Sequence, residues 1–321
     1  MNLDRHQDET DPAVLWQICD GKRGHLSQST GLIEALRRRV PLAVHQVTAP
    51  PMIQSLTSCL SGKTPWARGL PAPQVAVGAG HATHAALLAV GRACRARTVV
   101  LMRPSLPLRW FDYCLVPAHD DLPARDNVII TAGALNPMQA TRNHDPEHGL
   151  ILVGGPSRHY RMDAQALLSR IRQVLARPSP RNWTLSNSPR TPEQVNRELT
   201  GFETAGVKVA LWNSCGPGWL ADTLARSRDV WVTEDSVSMI YEALTSGCRV
   251  ALLPLPRKST GRLHQAIDRL LEEGFVSAHN NRDVGAELPA PPRTLNEADR
   301  CAGLLLKKGL LSETAGAATC P

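Results

Sequence analysis

Aromatic residues make up only 4% of this 321-residue chain. Stacking platforms for nucleic-acid bases are therefore scarce. No basic tail makes up for them, because the net charge of +7 is spread over both halves of the sequence. A nucleic-acid partner is thus not expected. A diffuse basic surface suits anionic small molecules or an anionic membrane face. Eight cysteines, at 19, 59, 94, 114, 215, 248, 301 and 320, form no CxxC pair and no zinc-finger spacing. Several, such as Cys19 and Cys114, sit inside apolar runs, where a free thiol acts as a small hydrophobe. That usage predicts a reducing compartment. No apolar run approaches the roughly 20 residues of a membrane-spanning helix. The first ten residues are polar and acidic, unlike a signal peptide. The expected location is the cytoplasm, at most peripheral on the inner membrane.

A hydrophobic content of 42% and a charged content of 20% fit a globular α/β protein. The length suffices for two domains. After a lead over 1–12 that is expected to be disordered, short apolar runs at 13–19, 42–47, 75–77, 98–102, 113–116 and 128–131 read as strands. Helical patterns at 27–39 and 81–94 separate some of them. These form an acceptor-side domain over 13–136. Residues 137–148, with Pro137, Asn143, Asp145 and Pro146, have the composition of a linker. A second alternation fills 149–292, with strands at 150–153, 183–186, 207–212, 230–232 and 250–253. A helix is expected within 293–310, and 311–321 reads as a frayed tail. The predicted fold is α/β, with two doubly wound Rossmann-like domains facing a cleft.

The most informative stretch runs from Val232 to Pro256. A strand ends at Val232, a polar loop follows, and a helix begins near Ser236 with Glu242 in its second turn. Gly247 ends that helix and a buried strand follows. Open α/β sheets bind ligands at the carboxyl ends of their strands, and a helix N-terminus there suits a phosphate. Glu242 suits the paired hydroxyls of a ribose. Asp235 and Ser236 fit either this ligand site or simple helix capping.

Four further turns carry candidate chemistry. Gly154-Gly155-Pro-Ser157 follows a strand and precedes a helix, so it is either a phosphate-binding turn or a plain tight turn. Arg190 lies in the next strand-to-helix turn, where its planar fork matches a diphosphate. Asp20-Gly21-Lys22-Arg23-Gly24-His25 is the equivalent turn of the first half. A histidine there suits a general base, and Lys22 and Arg23 read as solvated. Gln265, at a helix start, suits a sugar hydroxyl. His81 and His84 lack a neighbouring cysteine or carboxylate, so no metal is expected. The segment 51–66 holds Met52, Ile53, Leu56, Leu60 and Trp66 with Lys63 nearby. It is either a helix packed on the first sheet or an apolar patch for an anionic bilayer.

Taken in order, these signals look like GT-B glycosyltransferases. The fuller match is to another family. Asp20-Gly-Lys-x-Gly-His25, Gln28, Gly31-Leu-x-Glu-Ala-Leu36, Arg103-Pro-x-Leu-Pro-Leu108, Phe111-Asp112, Pro117-x-His-Asp120 and Val232-Thr-x-Asp-Ser-Val-Ser-Met239 together resemble the Elm-type mitochondrial-fission family. Its bacterial members are regarded as GT-B glycosyltransferases. The resemblance implies that Gly155, Ser157, Arg190, Ser236, Met239 and Glu242 line a donor site, and Gly154, Asp235, Ser238 and Gln265 are expected beside them. It places His25 as catalytic residue, with Gly21, Lys22, Gly24 and Gln28 on the acceptor side. The implied activity moves a sugar from a nucleotide diphosphate to a glycan or lipid of the cell envelope, with no cofactor. The alternative is a non-catalytic adaptor of the same fold that binds a protein partner or a membrane.

Overall fold

The computed structural model describes residues 11–123, 125–258, 261–279 and 287–311. The expected disordered lead and frayed tail fall almost wholly outside them. The chain divides into two compact units, one of 1–137 with 297–321 and one of 138–296.

The first unit runs β1 (Ala13–Cys19), α1 (Arg23–Arg37), β2 (Leu42–Thr48), α2 (Met52–Ser61), β3 (Val75–Ala79), α3 (His84–Cys94), β4 (Arg97–Leu101), β5 (Tyr113–Pro117) and β6 (Val128–Thr131). Its sheet is parallel, in the order β2-β1-β3-β4-β5-β6. Both faces are covered. Leu15, Val77, Val99 and Leu115 pack with Leu32 and Leu36 of α1 on one side. Trp16, Ala76, Val100 and Val116 pack with Leu87 and Val90 of α3 on the other. Alternate residues thus enter two cores, so the strands are apolar throughout rather than alternating. The chain leaves β1 on one side for β2 and returns on the other as β3. The order reverses between β1 and β3, and their carboxyl ends diverge there.

The second unit runs β7 (Asp145–Leu152), α4 (Ala164–Leu175), β8 (Asn182–Ser186), α5 (Glu193–Thr200), β9 (Val207–Ala210), α6 (Trp219–Arg226), β10 (Ser227–Thr233), α7 (Val237–Thr245), β11 (Arg249–Leu253), α8 (Arg262–Glu272) and β12 (Val276–Ala278). Its sheet is parallel in the order β12-β11-β10-β7-β8-β9. That is the Rossmann order, with its reversal between β7 and β10. Ile151, Trp183, Leu185 and Trp231 pack against Leu167, Ile171 and Leu199 of α4 and α5. Truncating one such buried leucine to alanine costs about 2–5 kcal/mol.

The last helix, α9 (Glu297–Lys307), returns to the first unit and packs on α1. Cys301, Ala302 and Leu305 join the Leu32–Leu36 core. Glu297 Oε2 accepts the Ala132 N–H at 2.9 Å, and the Tyr113 hydroxyl donates to the Lys308 carbonyl at 2.7 Å.

Four elements differ from the sequence expectation. α1 starts at Arg23 rather than at 27, because Asp20 Oδ1 accepts the Lys22 N–H at 3.1 Å and turns the chain into the helix early. β7 starts at Asp145, taking 145–148 from the expected linker, since Asp145 pairs with Ser227 and His148 with Asn182. Neither α6 nor the three-residue β12 stands out in the sequence. Cys19, Cys59, Cys114, Cys215, Cys248 and Cys301 carry free thiols. Cys94 is disulfide-bonded, which the reducing-compartment expectation did not include.

Candidate functional site

At the β1/β3 reversal, the structure joins Asp20 to His25. Gly21 takes φ +80°, which carries the chain from β1 into α1. His25 then falls in the first helical turn, not in an open loop. Its Nδ1 lies 2.8 Å from Asp20 Oδ2. Burial opposes the charge of Asp20, but hydrogen bonds from His25 and the Lys22 N–H, with their positive charge nearby, hold the carboxyl below its ordinary range. An ionised Asp20 fixes the tautomer with the proton on Nδ1, leaving Nε2 as the basic nitrogen. Nε2 has no hydrogen-bond partner among the described residues. The turn after β3 closes over the ring: Gly80 takes φ +84°, and a Cβ there would overlap the His25 imidazole. Asp20 is thus an orienting residue absent from the expected set of site residues.

The other residues expected on the acceptor side are more loosely held. Lys22 and Gly24 are exposed, and Gln28 is half-buried. A Cβ on Gly24 would meet nothing within 4 Å, so no close approach requires that glycine.

The β7/β10 reversal gathers Gly154, Gly155, Arg190, Asp235 and Ser236. The Gly154 N–H donates to Thr233 Oγ1 at 2.7 Å, and the Gly155 N–H to Asp235 Oδ2 at 3.0 Å. Arg190 Nη2 donates to the same Asp235 oxygen at 2.8 Å and to Ser236 Oγ at 3.3 Å. Its Nη1 donates to the Gly155 carbonyl at 3.2 Å. Asp235 has no exposed side-chain surface, whereas 45% of the Arg190 side chain is exposed. The glycines are demanded by contact. A Cβ on Gly155 would overlap the Arg190 carbonyl, and one on Gly154 would overlap Ser236 and Asp235. A carboxylate therefore already holds the Gly155 N–H that an anion would use. Asp235 acts here as an internal anion rather than as an open ligand group.

Other anion-binding capacity remains. Ser236 is the N-cap of α7, but its hydroxyl takes no N–H of the helix. The first amides of α7, at Val237, Ser238 and Met239, find no acceptor among the described residues. Three oriented N–H groups and the helix dipole suit an anion. Glu242 sits one turn further along α7, and its carboxyl has no hydrogen-bond partner among the described residues. Burial pushes its carboxyl up to about 7.

Three expected donor residues stand apart from this set. Ser157 Oγ accepts the His159 and Tyr160 N–H groups at 3.1 and 3.2 Å, closing its own turn. The Ser238 side chain is exposed. Gln265 is exposed too, because α8 turns His264 inward instead. His264 is 2% exposed, has no hydrogen-bond partner for either ring nitrogen among the described residues, and lies edge-on to Tyr160 at 4.9 Å. Beside it, Arg257 forks between Glu234 and Asp268. Hydrogen bonding to Arg257 holds the Asp268 carboxyl low despite burial. This polar cluster spans the turns after β7, β10 and β11, and no motif spacing marks it in the sequence.

The family model for mitochondrial fission ELM1 matches residues 23–308. The chain belongs to that family. No curated protein matches the sequence. Solved structures resemble this ELM1-family chain over most of its length. One is a Listeria monocytogenes protein assigned as a UDP-N-acetylglucosamine 2-epimerase: TM-score 0.58, 13% identity, 95% of this chain and 98% of that one covered. Another is S. aureus MnaA in a co-structure with UDP: TM-score 0.53, 13% identity, 95% and 99% covered. A third is CalG4, the calicheamicin glycosyltransferase: TM-score 0.53, 11% identity, 96% and 100% covered. At such identities the likeness speaks for the fold, which is α/β of the GT-B type with two Rossmann-like domains. Among the described residues, no helix is long and apolar enough to cross a membrane.

Proposed function

We propose that this ELM1-family chain is a glycosyltransferase that takes a sugar from a nucleotide diphosphate and passes it to a hydroxyl of a cell-envelope glycan or lipid. One observation carries the reading. The two sheet reversals hold different and complementary chemistry: an Asp20-oriented histidine in the first, and Arg190 with the free amides of α7 in the second. In the reaction, His25 Nε2 takes the acceptor proton. The acceptor oxygen bonds to the anomeric carbon as the bond from that carbon to the diphosphate oxygen breaks. Arg190 and the α7 amides take up the charge that develops on the leaving diphosphate. Glu242 receives the ribose hydroxyls. No metal or cofactor enters this scheme. The UDP bound in the S. aureus co-structure supports a uridine nucleotide as first candidate.

The test is calorimetry with UDP and a panel of nucleotide sugars, followed by transfer assays on lipid-linked and soluble glycan acceptors. Binding, with loss on Glu242→Ala, is expected. No heat with any nucleotide diphosphate overturns the reading. A second reading, a non-catalytic scaffold of the same fold, draws on the Asp235 carboxylate that already occupies the Gly155 N–H. It requires that neither the native chain nor Asp235→Asn binds a nucleotide.

A further inference from the structure

Helix α2 is built inside out. Helices on globular proteins turn their apolar stripe to the core. Here the residues buried on α2 are Ser55 and Ser58. Ser55 Oγ donates to the Pro50 carbonyl at 3.3 Å, and Ser58 Oγ accepts the Trp66 indole N–H at 3.1 Å. The apolar residues point outward: Met52 is 66% exposed, Ile53 78%, Leu56 51% and Leu60 80%. At helical spacing these four fall within an arc of about 100°. They are four of the eight large hydrophobic side chains exposed on the described chain, gathered on one ten-residue helix. A cluster of this kind marks a surface that something covers. Trp66 is not part of it, because its ring turns inward against Trp16.

The charge around this face selects the cover. Between Glu34 and Asp112 the sequence holds no Asp or Glu and ten Lys and Arg. That stretch includes α2 and α3, the helix on which α2 packs. Lys63, Arg68, Arg92 and Arg95 are exposed, and none pairs with a carboxylate among the described residues. Arg92 lies close enough to the last turn of α2 to pull the Cys59 thiol down against the larger upward push of burial. A protein partner or a second copy would bring hydrogen-bonding and acidic groups to a contact of this shape. An anionic bilayer supplies an apolar interior beneath a layer of negative headgroups, which matches an apolar helix face rimmed by unpaired cations.

We propose that the outer face of α2 docks on an anionic lipid surface. Met52, Ile53, Leu56 and Leu60 enter the boundary between headgroups and acyl chains, and Lys63, Arg68, Arg92 and Arg95 meet the phosphates. The docking does not depend on sugar transfer, so the two proposals stand or fall separately.

The experiment is co-sedimentation of the full chain with vesicles of phosphatidylcholine alone, or of phosphatidylcholine and phosphatidylglycerol in equal parts. The expected result is pelleting with the anionic vesicles at low salt and release as salt screens the headgroups. Ile53→Asp with Leu60→Asp should weaken the partition by at least about tenfold. Each of Lys63→Gln and Arg68→Gln should weaken it by about fivefold. These side chains are exposed, so an unchanged melting temperature shows that the variants fold. The proposal is overturned if the native chain stays in the supernatant at low salt, or if the double aspartate variant pellets like the native chain. It is equally overturned if sedimentation velocity finds a dimer that the double aspartate variant dissociates, since a second copy then covers the face.

Discussion

The reversal of the first sheet and the reversal of the second both gather polar groups at the carboxyl ends of parallel strands, in different strand orders, but they are left in opposite states. At the first, Asp20 uses one hydrogen bond to orient His25 and leaves Nε2 without a protein partner. At the second, Asp235 takes hydrogen bonds from Gly155, Arg190 and Ser236 at once. The first region presents an oriented imidazole. The second keeps Arg190 and one backbone donor satisfied internally. Parallel topology fixes where polar groups gather, but local pairing decides whether they are available. A buried carboxylate with several donors is costly to leave unpaired, so Asp235 holds Arg190 and the Gly155 N–H, while the first amides of α7 have no acceptor among the described residues.

The comparison breaks first at His25. His25→Ala should lower the transfer rate by about 10²–10⁴-fold, the usual worth of a general base. Calorimetry should find UDP affinity unchanged, because the donor groups lie at the other sheet. Asp20→Asn should lower the rate less, through the lost orientation of the ring. Equal UDP weakening in both variants would show that the two regions are not chemically distinct.

The second break concerns Glu242, the carboxylate of the second region that has no partner among the described residues. Its folded-state value is raised to about 7 from 4.5. The proton is therefore bound more tightly in the folded chain. Stability from this group is complete below the unfolded value and is lost as pH rises through about 7. Glu242→Gln should match the native chain near pH 4 and exceed it at pH 8 by about 1–3 kcal/mol. Thermal melts across that range give the check. A constant difference would mean that the carboxyl is not held in a low-dielectric pocket.

Glycines sharpen the comparison further. Gly155→Ala forces a Cβ onto the Arg190 carbonyl and should destabilise the second unit by about 1–3 kcal/mol. Gly24→Ala meets nothing and lies within a helix, so it should stabilise by about 0.5–1 kcal/mol. Urea unfolding of the two variants separates a glycine that the site requires from one that it does not.

A small effect is also expected at Asp235. Asp235→Asn removes the negative partner of a half-exposed arginine, so its stability cost should stay near 1 kcal/mol. UDP should bind a few-fold more tightly, because Arg190 is no longer held by an internal anion. Weaker UDP binding would instead assign Asp235 to positioning Arg190 for the ligand.

Much of this was legible in the residues. Apolar runs without alternation, broken by Gly-rich turns, specify parallel strands buried on both faces, and most strands lie where those runs predict. The glycines at 154 and 155, Arg190, Asp235 and Ser236 are recognisable because strand-to-helix turns are where such residues serve ligands. Other features were hidden for physical reasons. The Asx turn at Asp20 moves the start of α1 by four residues, and a one-turn shift is invisible to periodicity. The inside-out face of α2 has the pattern of an ordinary amphipathic helix. Which side of it meets the core is settled by α3 and Trp66, not by its own spacing. His264 and Gln265 are adjacent, and only the packing of α8 decides that the histidine is buried and the glutamine exposed.

The sequence by itself determined the strands, the helices and the polar turns between them, because these follow from local pattern and backbone preference. Tertiary structure decided which turns meet. β7 and β10 are neighbours only because the chain crosses back over the sheet after β9. That crossing sets Asp235 against Gly155, residues 80 apart in the chain, and so determines that the Gly155 N–H is met by a carboxylate of the chain itself.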